Sequence, residues 1–376
     1  MIVLPKNTKF DTNSMNLQMS RSVEYFISGI KSKATERNYL LFLEKFREYN
    51  HIRDYDSLLE IEPETVKERI EDLVFRDKKN GLAKSSINAK ISAIKLFYDM
   101  NDIDINIRRA RKMLPAEKKQ GGGKPYTTKQ LQEMLKCLNT RFSLPLKCAV
   151  LIMISSGCRV GFTESLRIKH IGEFEKNGLK SILIYGGEKM EYTSFINPET
   201  IKVYDQWIEY RKSKGEIVNE NSWVIPQATD HRKPMGERGV QGGIRALIED
   251  IDRGEKIGLR YETSITHGIR KRWNTIAKNT DGVNANKVEK MYDHNSQTHK
   301  LDTLYFKPSI DELFEEYEKF VDKLAVSEEA ILEVELKNKN KQIESSEAEK
   351  DDKIRKLEAR LVKMEEIAWG SAVKWA

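Results

Sequence analysis

Hydrophobic and polar residues follow a helical period over the first third of the chain. The run SVEYFISGIKSKATERNYLLFLEKFREY carries large apolar residues at helical spacings: Tyr39, Phe42, Leu43 and Phe46. A second run, SSINAKISAIKLFYDMNDI, begins with serines that suit a helix N-cap and places on one side Ile87, Ile91, Ile94 and Phe97. We therefore expect a small helical bundle at residues 21–112, after an N-terminal arm at residues 1–20.

The helical pattern stops between residues 108 and 127, where the sequence reads RRARKMLPAEKKQGGGKPYT. A proline and three consecutive glycines remove any regular periodicity, which is typical of a segment between domains. We predict a linker at residues 113–127. Its basic residues suit contact with phosphates as well as exposure to solvent.

Beyond the linker, helical runs surround two short β-rich runs. KQLQEMLKCL and LKCAVLIMISSG have helical character, whereas SILIYGG and EYTSFIN lie on either side of GGEKM and predict a β-hairpin. Helical segments return after Pro198 and continue to Leu324. The expected fold class is mainly α, with a mostly helical second domain at residues 128–325 that contains a small β-sheet.

The last segment, residues 326–376, is rich in Glu and Lys and has apolar residues at seven-residue intervals. Two neighbouring registers contain these residues, the first with Leu336, Ile343, Leu357 and Met364 and the second with Ile354, Leu361 and Ala368. Such spacing predicts a long helix or a coiled coil. Glu347 and Lys350 interrupt the apolar pattern.

Composition adds a mild basic excess. Lys and Arg outnumber Asp and Glu by 65 to 58, which suits a polyanionic partner. The cysteines Cys137, Cys148 and Cys158 form no CxxC motif or paired framework, so we expect neither a disulfide nor a zinc site. No signal peptide or membrane-spanning run is recognisable. We expect a protein of the cytoplasm, with no membrane partner.

Four separated segments carry candidate chemistry: SSGCRVGFTESL, YGGEKMEY, ITHGIRKRW and YDHNSQTHKLDTLYFKP. Each is weak alone, because a single Arg, His or Tyr is more often a surface or packing residue. Their order of Arg, Lys, His-x-x-Arg, His and Tyr resembles the catalytic domain of the tyrosine recombinase family. The phrases YGGEKMEYTSFINPE and LYFKPSIDELFEEY are most similar to its archaeal integrases. The resemblance covers about residues 20–325.

The resemblance implies a phosphate-binding and nucleophilic set in this chain. Arg159, expected on the helix that follows ISSG, and Arg270 would bind the phosphate, with His294 hydrogen-bonded to it. Tyr305 would attack the phosphorus and form a covalent 3′-phosphotyrosyl bond with DNA, which preserves the bond energy for rejoining.

Two further residues would handle protons. Lys189, in the predicted hairpin turn, would protonate the leaving 5′-oxygen, and His267 would assist proton movement at the tyrosine. His267 and Arg270 are three residues apart, which places them on one face if the segment is helical.

The sequence also departs from the family pattern. The acidic residue common three positions after the first arginine is here Phe162, the nearest acid is Glu164, and the residue after the second arginine is Lys271.

The nucleophile also has rivals. The spacing from His294 to Tyr305 is longer than in many bacterial members, so Tyr292 and Tyr317 are rival nucleophiles. Tyr305 is favoured because it precedes Phe306-Lys307-Pro308, as the archaeal members' tyrosine precedes an aromatic-Arg-Pro stretch.

The chemistry of phosphoryl transfer agrees with these residue types. Two fixed guanidinium groups bind the negative charge of non-bridging oxygens without a metal, and no Asp/Glu cluster suited to two metals accompanies the four segments. We expect no metal and no cofactor. The resemblance implies double-stranded DNA attachment sites as partners, a helical domain that helps to clamp DNA, and a tetramer on DNA. Two alternatives stay open: a type IB topoisomerase-like enzyme, and a DNA-binding protein that descends from a recombinase but is not catalytic.

Overall fold

The computed structural model describes residues 20–117, 122–257, 260–293 and 306–372. The chain divides into two compact units, Met1–Lys119 and Gln120–Ala376. The boundary between these units falls inside the stretch from residue 113 to residue 127 in which the sequence predicts a linker.

The first unit is helical. Its described residues form α1 (Arg21–Ser28), α2 (Lys33–Tyr49), α3 (Asp56–Leu59), α4 (Pro63–Lys79), α5 (Lys84–Asp99) and α6 (Arg108–Lys112). The side chain of Ser32 accepts a hydrogen bond from the Thr35 N–H and starts α2. The predicted serine cap of α5 is wrong, because Ala83 is the N-cap residue and the serines lie inside the first turn.

The predicted apolar faces of α2 and α5 form much of the first core. Leu43 and Phe46 on α2 are buried, as are Ile87, Ile91, Ile94 and Phe97 on α5. Full burial of one such side chain stabilises the fold by about 1.5–3 kcal/mol. Packing of these faces, rather than helix propensity, therefore holds the bundle together.

The second unit combines helices with two small sheets. Its helices are α7 (Thr128–Cys137), α8 (Leu144–Ser156), α9 (Pro198–Ser213), α10 (Glu237–Leu247), α11 (His267–Lys278), α12 (Ala285–Tyr292), α13 (Ile310–Glu318) and α14 (Glu328–Ala372). Its strands are β1 (Ile171–Lys176), β2 (Leu179–Ile184), β3 (Tyr192–Ile196), β4 (Lys256–Ile257) and β5 (Arg260–Tyr261). The mainly α fold with a small sheet is as predicted.

Helix α8 lies in the centre of the second unit. Its sequence LPLKCAVLIMISS is apolar on nearly all sides, and its residues from Cys148 to Ser156 are all buried. A helix that is apolar all round has no face for solvent and belongs inside a core. Because α8 is surrounded, the residues that follow its C-terminus are held in place by several other elements.

The larger sheet has the strand order β1-β2-β3, with both pairs antiparallel. Strands β2 and β3 pair from Lys180 opposite Ile196 to Ile184 opposite Tyr192, which confirms the predicted hairpin. Their connection, residues 185–191, is an exposed turn at its tip.

Helix α14 is long and begins at a fixed point on the second unit. The Glu199 carboxylate accepts hydrogen bonds from the backbone N–H groups of Val326 (3.0 Å) and Ser327 (2.8 Å). An ion pair of 2.7 Å joins Lys202 to Glu329. The predicted C-terminal helix is therefore present. No helix in the described ranges is both long and apolar enough to cross a membrane.

Candidate active site

The site begins where α8 ends. Gly157 is the C-cap residue of α8 and adopts a left-handed conformation, with φ +67°. A Cβ atom at this position would lie 2.5 Å from the ring of Trp273, so only glycine fits. The carbonyl of Gly157 accepts a hydrogen bond of 2.7 Å from Nη1 of Arg270.

Arg270 lies on α11 and is only 7% exposed. Besides Gly157, its guanidinium donates to the backbone carbonyl of Tyr292 and lies over the Tyr292 ring, 4.1 Å from the centroid. Burial lowers the pKa of Arg270, and the positive charge of Arg159 lowers it further. An arginine still remains protonated at neutral pH. The fold therefore holds a desolvated cation in a fixed orientation.

Arg159 approaches the same place from the chain that leaves α8. It is extended, with φ −75° and ψ 149°, and precedes a short 3-10 helix, Val160–Glu164. The prediction that Arg159 lies on a helix is therefore wrong, because Gly157 ends α8 two residues earlier. The guanidinium donates to the Asp293 side chain (3.0 Å) and to the Asp293 carbonyl (2.9 Å).

Asp293 was not anticipated as part of the site. It ends α12 in a left-handed conformation, with φ +47°, a region that Asp and Asn tolerate better than most residues. The side chain of Arg159 is 33% exposed and that of Asp293 is 17% exposed. The Asp293 carboxylate therefore pairs with a guanidinium that is partly exposed to solvent.

His267 begins α11 and lies beside both arginines. Partial burial lowers its pKa, and the positive charges of Arg270, Lys271 and Arg159 lower it further. A neutral imidazole is therefore favoured at pH 7, and a neutral imidazole has one nitrogen that accepts a proton. The neighbouring Lys271 donates to the carbonyl of Gly122 at 2.5 Å.

A cavity of about 1250 Å³ opens beside His267. Helix α10, the hairpin β4–β5 and the first turn of α11 contribute to its lining. Five of its lining residues are cationic: Arg245, Arg253, Lys256, Arg260 and Lys271. Such a basic concave surface attracts polyanions.

Lys189 lies at the tip of the turn between β2 and β3, where it is exposed. The turn begins at Tyr185 with φ +56°, and Gly187, with φ +81°, donates its N–H to Glu191 at 2.6 Å. Burial raises the pKa of Tyr185 to about 12, and Cys158 and Arg159 are among the groups that act on it. The base of the turn is thus close to Arg159, while its tip extends into solvent.

The remaining predicted site residues, His294 and Tyr305, lie outside the described residues. Both rival tyrosines are described and buried. Tyr317 donates its hydroxyl to the carbonyl of Ser155 at 3.0 Å, and burial raises its pKa. Burial also raises the pKa of Tyr292, to about 12. Both rival side chains are therefore packed inside the fold.

Phe162, which replaces the family's acidic residue, and Glu164, the nearest acid, have different surroundings. Phe162 is fully buried in the core. The Glu164 carboxylate accepts the Glu237 N–H at 3.0 Å, at the start of α10, which stabilises the positive end of that helix. In the described residues no group of three or more His, Cys, Asp or Glu is arranged to hold a metal ion.

The site thus unites Arg159, His267 and Arg270, with Lys189 on an adjoining turn. Sequence reasoning did not find Asp293 or Tyr185. The only sequence signal for Asp293 is an acidic residue directly before His294, next to a segment already expected to bind an anion.

The chain was compared with protein-family models, with curated proteins and with solved structures. Residues 125–306 match the model of the phage integrase family, which is just under half of the chain. No curated protein matches the chain. Among solved structures, XerH site-specific recombinase bound to palindromic difH substrate, a post-cleavage complex, is similar with TM-score 0.51 and 16% identity, over 72% of this chain and 76% of that chain.

Two further solved structures are similar to the same extent. The Tn1549 transposon integrase in complex with transposon right end DNA gives TM-score 0.51 and 16% identity, over 79% of this chain and 98% of that chain. A lambda integrase dimer bound to a COC′ core site gives TM-score 0.51 and 12% identity, over 76% of this chain and 92% of that chain. These likenesses show that the chain has the tyrosine recombinase fold.

Proposed function

We propose that this chain is a site-specific tyrosine recombinase that cuts and rejoins double-stranded DNA through a 3′-phosphotyrosyl intermediate. The observation that carries the proposal is the convergence of Arg159 and Arg270 inside the stretch that matches the phage integrase family. The scissile phosphate occupies the space in front of these guanidiniums. Each planar guanidinium binds two phosphate oxygens through paired N–H groups.

The Asp293 carboxylate supports this location for the phosphate. It is an anion with two oxygens, and it pairs with the guanidinium of Arg159. A phosphate that enters the site competes with Asp293 for Arg159. Charge that develops on the phosphate in the transition state is then stabilised by groups that are already oriented.

The cleavage step needs a nucleophile, a base and an acid. The Tyr305 oxygen attacks phosphorus, its proton passes to His267, and the P–O bond to the 5′-oxygen breaks. Lys189 gives a proton to that leaving oxygen, and His294 donates a hydrogen bond to the phosphate. The neutral state of His267 at pH 7 supports its part as the proton acceptor. Rejoining reverses each transfer, so no external energy source is required.

The proposed partner is double-stranded DNA that carries an attachment site. XerH, the Tn1549 integrase and lambda integrase were each solved with DNA, and the cationic cavity beside His267 offers this chain a surface for phosphates. The helical first unit supplies further contacts and helps to clamp the duplex. Exchange between two duplexes requires a tetramer of this chain, which acts on DNA in the cytoplasm. The prediction that the chain is most similar to archaeal integrases is not supported by the comparisons.

The decisive experiment traps the covalent intermediate. A nicked suicide substrate loses a short strand after cleavage, so the protein stays attached to DNA and migrates slowly in a denaturing gel. Tyr305→Phe should keep DNA binding but form no adduct. The matched control is Tyr210→Phe at a partly exposed tyrosine of α9, which should form the adduct normally. Adduct formation by Tyr305→Phe at wild-type yield would move the nucleophile to Tyr292 or Tyr317.

The same preparation separates the two alternative functions. Joining of strands from two different duplexes identifies a recombinase, whereas relaxation of supercoils without such joining identifies a type IB topoisomerase-like enzyme. DNA binding without any adduct identifies a non-catalytic DNA-binding protein.

A further inference from the structure

The outer part of α14 exposes an apolar surface that the other described residues of the chain do not cover. Ile354, Leu357, Leu361 and Met364 are 51%, 58%, 54% and 61% exposed. These four residues fall within eleven positions of one helix. An ordered row of large apolar side chains in water is unfavourable and marks a surface that meets a partner.

The spacing of these residues identifies the kind of partner. They are separated by three, four and three positions, which is the 3.5-residue repeat of a coiled-coil seam. In heptad notation, Ile354 and Leu361 take the a positions, and Leu357 and Met364 take the d positions. The first heptad has the β-branched Ile354 at a and Leu357 at d, a combination that favours two parallel strands.

The helix itself keeps this surface away from its own unit. Hydrogen bonds to Glu199 and the ion pair of Lys202 with Glu329 fix the start of α14. At 1.5 Å per residue, Ile354 lies about 40 Å along the helix from its beginning. A continuous helix therefore cannot bring this seam back to the core of its own chain.

Charges beside the seam favour a second copy in parallel orientation. Lys353 takes a g position and Glu358 the following e position, which face each other across a parallel, in-register pair. An antiparallel pair centred on the seam would instead place Glu358 against its own copy and Arg360 against its own copy. Opposite charges attract in the first arrangement, and like charges repel in the second.

We propose that residues 354–364 of α14 form a pairing surface for the same segment of a second copy of this chain, as a parallel, in-register, two-stranded coiled coil. Glu347 and Lys350 occupy the preceding core layers and would meet their own copies there, so pairing is confined to the outer segment. A seam this short is weak between free chains. It forms readily when two copies are held close together, because their effective concentration rises to the millimolar range.

Disulfide trapping tests the register directly. In a Cys137→Ser background, which removes the exposed native thiol, Leu357→Cys places two sulfurs at one d layer of the pair. Ala359→Cys, at an f position on the opposite side of the helix, is the matched control. Mild oxidation should link Leu357→Cys chains at least about fivefold more than Ala359→Cys chains. Equal yields from the two variants would overturn the proposal.

The orientation has its own controls. A mixture of Leu357→Cys and Leu361→Cys chains that links better than Leu357→Cys alone would show antiparallel pairing and refute the parallel arrangement. In the Leu357→Cys background, Lys353→Glu or Glu358→Lys alone should reduce the yield severalfold, and the two together should restore it. A double variant no better than either single one would also count against parallel pairing.

The trapping is done with free protein at high concentration and again on DNA with two sites, and only the second arm rests on the proposed function. If free chains form the disulfide and DNA does not raise its yield, the pairing surface is supported, but the idea that DNA promotes pairing is wrong. A protein that forms the covalent adduct at Tyr305 but never links at residue 357 would keep the proposed function and lose the pairing surface.

Discussion

The phosphate-binding part of the proposed site and its proton-donating part have opposite surroundings. Arg270 is 7% exposed and donates to two backbone carbonyls. Lys189 lies in an exposed turn and, within the described ranges, makes no hydrogen bond or ion pair. A group that stabilises charge gains from a fixed orientation, whereas a proton donor must reach an oxygen that moves as its bond breaks. The rigid arginine and the unrestrained lysine are consistent with those two tasks.

Arg159 stands between these extremes. It is one-third exposed, and one of its acceptors is the carboxylate of Asp293 rather than a backbone carbonyl. Replacement of each of these residues should therefore affect folding and chemistry in different proportions.

The largest effect is expected for Arg270→Lys. An ammonium cannot donate to Gly157, to Tyr292 and to a phosphate in the geometry of the guanidinium, so single-turnover cleavage should fall by about 10²–10³-fold. The free energy of unfolding should also fall, because a buried charge loses partners. Single-turnover cleavage of DNA measures the first effect, and unfolding in urea measures the second.

A matched control lies on the same helix. Arg272 is 6% exposed and donates to Thr128 and to the carbonyl of Lys323, away from the proposed phosphate. Arg272→Lys should lose stability yet cleave normally once folded, whereas Arg159→Lys should lose cleavage with less loss of stability. If Arg272→Lys slowed cleavage as much as Arg270→Lys, the phosphate assignment would fail.

Lys189→Ala should show the reverse pattern. Loss of a general acid should slow cleavage by about 10²-fold, and the unfolding midpoint should stay at the wild-type value because the turn is exposed. A substrate with sulfur in place of the bridging 5′-oxygen has a leaving group that needs little protonation.

That substrate should rescue Lys189→Ala and leave Arg270→Ala slow. Lys212→Ala, at an exposed lysine of α9 paired with Glu209, should cleave both substrates normally. Rescue of both site variants, or of neither, would place the proton donor elsewhere.

Asp293→Asn should strengthen DNA binding modestly. The amide still accepts from Arg159 and tolerates the left-handed backbone, but it removes the negative charge that competes with phosphate. A partly exposed ion pair contributes about 1 kcal/mol or less, so we expect up to about fivefold tighter binding at low salt. Asp281→Asn, at an exposed aspartate after α11, controls for the change in net charge. If both variants gained the same affinity for DNA, the effect of Asp293 would come from net charge and not from competition with the phosphate.

The smallest effect concerns the pH dependence of stability at His267. Its folded pKa is lowered from 6.5, so between that lower value and 6.5 the unfolded chain binds more protons than the folded chain. His267 therefore subtracts stability as the pH falls below about 6.5, and His267→Gln should flatten part of this decline in urea unfolding between pH 7 and 5. A steeper decline in the variant would mean that the folded pKa is raised.

The sequence predicted those features that depend on local periodicity. The apolar faces of α2 and α5, the β2–β3 hairpin and the long α14 each follow from spacing within one segment. The end of α8 was misjudged, because a single glycine in the left-handed conformation decides whether Arg159 lies on a helix. A Cβ atom at this position would clash with the ring of Trp273, over a hundred residues away, so that glycine is required by a contact outside the segment.

The sequence predicted which residues form the site but not which residues they contact. The family resemblance pointed to Arg159, His267 and Arg270, and the structure brings these three together. The ion pair with Asp293 joins residues that are 134 positions apart, and no periodicity or motif connects them. Long-range partners of this kind depend on how helices pack, which one sequence does not specify.

The C-terminal end of α8 has an electrostatic consequence for Arg270. Peptide dipoles in a helix align and place about half a negative charge at its C-terminus, where Gly157 faces the guanidinium. Because α8 is buried, dissolved salt screens this field little. The backbone thereby supplies counter-charge without a titratable group. That part of the attraction on Arg270 should persist at any pH at which the chain stays folded, whereas the attraction between Asp293 and Arg159 comes from a side-chain carboxylate.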